Sequence, residues 1–128
     1  ALNFANAAKG PGGRGYVVGG KLATSGDTIT AGSLRLWLFT AAPTMVGDAN
    51  EYGLLTTERE ECIGYLDFTL EVEGTTAGNA AIAFNHSVRI PFVCPTTDAD
   101  LYGVLVAEAA FVPTSAQTFF IELSMECN

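Results

Sequence analysis

The sequence predicts an all-β protein: an antiparallel β-sandwich of about seven or eight strands, jelly-roll-like, with a flexible, extended N-terminal arm at 1–15 and the sandwich domain at 16–128. Three observations predict it. Apolar residues recur at every second position in several segments, the period of an extended chain with two faces. Clusters of Gly, Pro, Asn, Asp, Ser and Thr separate those segments at short intervals, as turns do between antiparallel strands. No segment carries an apolar stripe at helical spacing over a substantial length.

Residues 1–15 have glycine or proline at 10, 11, 12, 13 and 15, which excludes a helix or a central strand there. The stretch reads as an arm whose sizeable apolar groups are Leu2 and Phe4, able to dock on the body or on a neighbouring subunit. Tyr16 to Thr24 reads as the first strand, with Gly19-Gly20 marking a bulge or a close backbone approach. Thr28-Ile29-Thr30 is a short second strand between the turns Ser25-Gly26-Asp27 and Ala31-Gly32.

Ser33 to Thr40 is the strand around which the rest is arranged. Leu34, Leu36 and Leu38 alternate with Arg35, Trp37 and Phe39, so both faces carry large apolar groups and the expectation is a central strand buried on both sides. Ala41 to about Glu60 follows without periodicity, a long loop with acids at 48, 51, 58 and 60; loops of this length are often functional. A short helical turn is expected near Leu54 to Arg59.

Cys62 to Val72 alternates Leu66, Phe68, Leu70 and Val72 with Tyr65, Asp67, Thr69 and Glu71, a strand with one wet face. From Ile82 to Phe92 the even positions Ile82, Phe84, His86, Val88, Ile90 and Phe92 predict one strand with those side chains inward. Leu101 to Ala110 is a further apolar strand carrying one acid, Glu108, for which Arg35 or Arg89 would supply the counter-charge. Phe119, Ile121, Leu123 and Met125 form the inward face of the last strand.

The chain has 128 residues, enough for one core, and that length buries roughly two thirds of the unfolded surface. Charged residues are 16%, below the usual share of about 25%, so much of the surface is uncharged and suited to protein contact. Six basic against 14 acidic residues give a net charge of −8, unfavourable for a phosphate backbone; no nucleic-acid partner is expected. Lys9 and Arg14 are the local exception, in a stretch without acids.

Cys62, Cys94 and Cys127 form no C-x-x-C pair and read as free thiols. The chain has one histidine, His86, placed by its spacing on an apolar strand face rather than at a catalytic centre. Asp48, Asn50 and Glu51 lack the ligand spacing of a calcium loop. No cofactor, metal site or catalytic residue is predicted. Trp37 is assigned to the core in preference to a sugar platform. No apolar run reaches the about 18 residues of a membrane helix, and the start lacks a signal-peptide core; the expectation is a soluble protein made in the cytoplasm, with no membrane partner.

Several segments carry a resemblance. Gly20-Lys21-Leu22, Leu34 to Phe39, Ala42-Pro43-Thr44 and Asp48-Ala49, with Ile63 to Phe68, Leu101 to Val106 and Phe111 to Gln117, resemble small virion proteins of tailed bacteriophages, over roughly residues 16 to 127. The resemblance implies a noncatalytic capsid decoration (cement) protein on the outer shell, bound to the major capsid protein as a dimer or trimer. Alternatives are a carbohydrate- or host-surface-binding module of the virion and a neck or tail adaptor. The expected contact residues are Leu2, Phe4, Lys9 and Arg14 on the arm and Pro43, Asp48, Glu51 and Tyr52 on the long loop.

Overall fold

A computed structural model describes residues 2–24, 32–44, 57–72, 81–108 and 119–127. Among these the regular structure is all strand: β1 (Leu2–Phe4), β2 (Arg14–Thr24), β3 (Gly32–Phe39), β4 (Cys62–Val72), β5 (Ala81–Asn85), β6 (Ile90–Val93), β7 (Leu101–Ala107) and β8 (Phe119–Cys127). All pairings are antiparallel. One sheet runs β1-β7-β3-β4; in the other, β2 takes β8 on one side and β5 and β6 end to end on the other. The far end of β4 crosses between them, pairing Glu71 with Ile82 and Val72 with Ala81. The expected Thr28–Thr30 strand lies outside the described residues.

Val17 and Leu22 of β2 share one core with Leu34, Leu36 and Leu38 of β3, and with Leu66, Phe68 and Leu70 of β4. The central role of β3 holds, since it pairs with β4 on one side and β7 on the other. Burial on both faces does not: Arg35 and Trp37 lie half-buried on the outward face. Phe39, next on that face, is fully buried, outside the cluster that holds Leu34, Leu36 and Leu38. The β3–β4 register shifts between Leu38 and Phe39, where Gly64 opposes Leu38 at φ 143°, a conformation that L side chains rarely adopt. The extra residue, Ile63, belongs to β4, so β3 keeps its alternation, with Leu38 opposite Gly103 and Phe39 opposite Tyr102 of β7.

A second bulge explains the main departure from the expected pattern. In β2 the register against β8 shifts between Val17 and Gly19, as the Gly19-Gly20 pair foretells, so the inward positions change from 15 and 17 to 20, 22 and 24. Strands pairing with the two halves must change face with it. The stretch expected as one strand from Ile82 to Phe92 therefore breaks into β5, with Ala81 and Ala83 inward, and β6, with Phe92 inward. Phe84, opposite Lys21, points out and is 58% exposed. His86 lies on the exposed connection between them, not on an apolar strand face.

Residues 2–13 do not extend away from the body in this structure. β1 pairs with β7, Leu2 opposite Gly103 and Phe4 opposite Leu101. The chain then turns at Asn6, at φ 55°, and crosses to β2 in the other sheet. On the way Ala7 and Ala8 are buried, and Ala8 N–H donates to Ala99 O at 2.9 Å. Gly12 N–H donates to Pro95 O at 2.7 Å, and Cys94 N–H to Gly13 O at 2.8 Å. The glycines allow this close passage, and β2 starts at Arg14, before the expected boundary at 16.

Candidate interaction surface

The edge strands on the two sides of an open seam are β1, paired only with β7, and β8, paired only with β2 among the described residues. Between them runs an apolar groove of about 690 Å³. Its walls are Leu2 and Phe4 from β1, Leu105 from β7, and Phe120 and Ile121 from β8. Gly103 makes room for the β1 side. A Cβ there would stand 3.0 Å from Phe4 Cε2 and 2.9 Å from Leu36 Cδ1, so a side chain would force the ends of Leu36 and Phe4 to shift. Phe120 is 60% exposed, an aromatic at a position of β8 otherwise held by Glu122, Ser124 and Glu126.

The outer faces carry two related clusters. On the β3–β4 sheet, Arg35 Nε donates to Asp67 Oδ1 at 2.7 Å and Nη2 to Oδ2 at 3.2 Å, with Glu108 Oε1 3.4 Å from Nε. The guanidinium lies 3.9 Å from the Tyr65 ring centroid, and Trp37 stands 5.1 Å from Tyr65, tilted by 58°. Glu108 thus meets Arg35, one of its two expected partners, but Asp67, directly opposite Arg35 on β4, is the closer acid. On the other sheet Arg89 stacks 3.9 Å from the Tyr16 ring and forks onto Glu126 at 3.1 and 3.3 Å. The forked hydrogen bonds to Asp67 and Glu126 raise both guanidinium pKa values.

At the end of the molecule near Ala7, Tyr102 Oη donates to Asp98 Oδ2 at 2.7 Å and Asp100 N–H to Asp98 Oδ1 at 3.0 Å. The Tyr102 bond first, then the Asp100 N–H, hold the Asp98 carboxyl below its usual range, and the same bond raises the Tyr102 phenol. Burial pushes the Cys94 thiol up, with Asp98 and Asp100 adding to the effect. Cys62, Cys94 and Cys127 are free; Cys127 Sγ–H donates to Ala7 O at 3.2 Å.

Among the expected contact residues, Leu2 and Phe4 meet in the groove, while Lys9 and Arg14 are exposed on either side of the crossing. Pro43 is buried rather than presented. Asp48, Glu51 and Tyr52 lie outside the described residues, as does the whole calcium question at 48–51. Of the loop's expected helical turn, residues 57–61 form a turn with Glu61 N–H donating to Glu58 O at 3.1 Å; 54–56 lie outside. Among the described residues no group of three or more His, Cys, Asp or Glu is placed to hold a metal. The β7 and β8 walls of the groove were missed by sequence reasoning, although Phe120 in the polar register of β8 was the available signal.

Comparison with protein-family models, curated proteins and solved structures finds no match.

Proposed function

We propose that the protein is a noncatalytic virion structural protein, a decoration protein that binds the outer shell of a tailed-phage capsid as an oligomer and reinforces contacts between capsomers. Its two sheets are read as a jelly-roll-like sandwich, and its first residues as the arm that makes contact. The observation that carries the reading is the open apolar seam, where Leu2 and Phe4 face Phe120 and Ile121 across a groove. Contiguous exposed apolar surface of this kind favours a protein partner. A low charged fraction and the resemblance of residues 16 to 127 support the same reading.

The test is a binding assay on purified shells lacking the protein, read as occupancy by electron microscopy. Removal of residues 1–5 spares the buried Ala7 and Ala8, so the body keeps its fold while occupancy drops. Phe120→Ser lowers occupancy in the same way. Unchanged occupancy for both variants would sink the proposal, and density at the neck or tail would move the protein to an adaptor role.

The sugar-binding alternative gains one observation: Trp37 and Tyr65 form an aromatic pair on an outer face, where the sequence placed Trp37 in the core. Against it, Arg35 already covers the Tyr65 ring. Specific glycan-array binding lost in Trp37→Ala, with the fold intact, would favour this second reading.

A further inference from the structure

We infer that β8 is a self-association edge, and that the seam groove is filled by β8 of a second copy, the two strands pairing antiparallel about a twofold axis through Leu123. This rests on the oligomer of the proposed function and assigns the seam to the contact between copies, so that seam variants lower shell occupancy by weakening the oligomer.

The argument starts from the strand's length and its partners. β8 has 9 residues, and among the described residues it is paired only with β2. A long edge such as that from Phe120 to Cys127 is a template for another strand, and the groove lies along the first half of β8. An added strand would sit about 4.8 Å from β8, over Leu2, Phe4 and Leu105 of the opposite wall.

The side-chain pattern then selects the occupant and the register. With the axis at Leu123, the residues from 120 to 126 are all paired, and the inward positions meet apolar to apolar: Ile121 opposite Met125 of the second copy, Leu123 opposite Leu123. On the outward face Glu122 meets Ser124 and Phe120 meets Glu126, so no acid opposes an acid. Glu126 is already held by Arg89, and Glu122 lies opposite Lys21 within its own sheet. Moving the axis to Glu122 sets that carboxylate against itself. Moving it to Ser124 sets Glu122 against Glu126 twice, and like charges directly opposite are destabilising. An axis between residues would place apolar side chains against the polar face. Axes at Ile121 and Met125 also keep the acids apart but pair only 119–123 and 123–127, so the Leu123 register is the longest in which no acid opposes an acid, and it is self-complementary in both faces.

Ser124 is exposed and faces away from the core, so its substitution reads the interface without disturbing the monomer. The experiment is analytical ultracentrifugation of the full chain over a range of concentration and salt. The wild type is expected to form a dimer that tightens with salt, because each copy carries a net charge of −8 and added ions screen the repulsion. Ser124→Glu creates two like-charge pairs across the axis and weakens the dimer by about tenfold. Ser124→Lys creates two opposite-charge pairs and tightens it. A monomer at all concentrations, an oligomer of odd subunit number, or equal shifts from the two substitutions would overturn the inference. Because the free protein is measured, such a result leaves shell binding to its own assay.

Discussion

Phe4 and Gly103 are fitted to one another: the aromatic ring of β1 occupies the space that a side chain on β7 would need, with 3.0 Å between Phe4 Cε2 and a Cβ built at 103. The first residues of the chain are thereby seated as one wall of the groove, and the seat is a single missing methyl group.

Gly103→Ala should therefore cost about 1–3 kcal/mol by overpacking, measured as a shift of the urea midpoint. Phe4→Ala in the Gly103→Ala background should cost less than the sum of the two single changes, because it removes one of the two clashes. Strict additivity would show that β1 does not sit on Gly103.

The break between β5 and β6 makes a prediction opposite to the one the alternation of residues 82–92 would make. Phe84→Ser, at an exposed site, should change stability by no more than about 0.5 kcal/mol. Ala83→Leu, at a buried site 5% exposed, should cost about 1–3 kcal/mol. Reversal of that order in denaturant titrations would mean that β5 presents its other face.

The Asp98–Tyr102 bond sets limits at both ends of the pH scale. Asp98 has a folded pKa below its unfolded value, so its stabilisation is complete above about pH 4, the unfolded value, and is lost as pH falls through the lower folded one. Tyr102 has a folded pKa above its unfolded value, so its contribution is complete below about pH 10 and is lost as pH rises through the folded one. Tyr102→Phe and Asp98→Asn should each flatten both limbs of the stability profile, because each removes the bond that shifts the other group. An acid limb unchanged in both variants would show that other carboxylates control it.

Around Arg35, the 2.7 Å bond to Asp67 and the 3.4 Å approach of Glu108 rank the two acids. Asp67→Asn should lower the melting temperature more than Glu108→Gln, both changes being small because the groups are exposed to solvent. The effect of each should shrink in an Arg35→Ala background. Equal losses in the presence and absence of Arg35 would show that the cluster contributes nothing as a unit.

The class of fold was legible because local periodicity records it. Leu34, Leu36 and Leu38, then Leu66, Phe68 and Leu70, and finally Ile121, Leu123 and Met125 each face inward at period two, in strands where the expected and observed bounds nearly coincide. Free thiols and the contact of Glu108 with Arg35 followed from spacing and charge. The candidate surface was half legible. Leu2 and Phe4 stood out on a stretch otherwise poor in large apolar groups, but nothing local to them names Gly103 or β8 as neighbours.

What the sequence by itself determined is the set of strands and most of their inward residues, because alternation is a property of a single extended segment. What only the tertiary structure decided is where alternation changes face and which edges stay open. The bulge at Val17/Gly19 in β2 turned Phe84 outward in a strand that never touches those residues in sequence. Trp37 came to an outer face because the main core cluster lies on the Leu34, Leu36 and Leu38 side of β3. Register and sheet closure depend on pairings between distant segments, and those pairings left β1 and β8 facing each other across the seam.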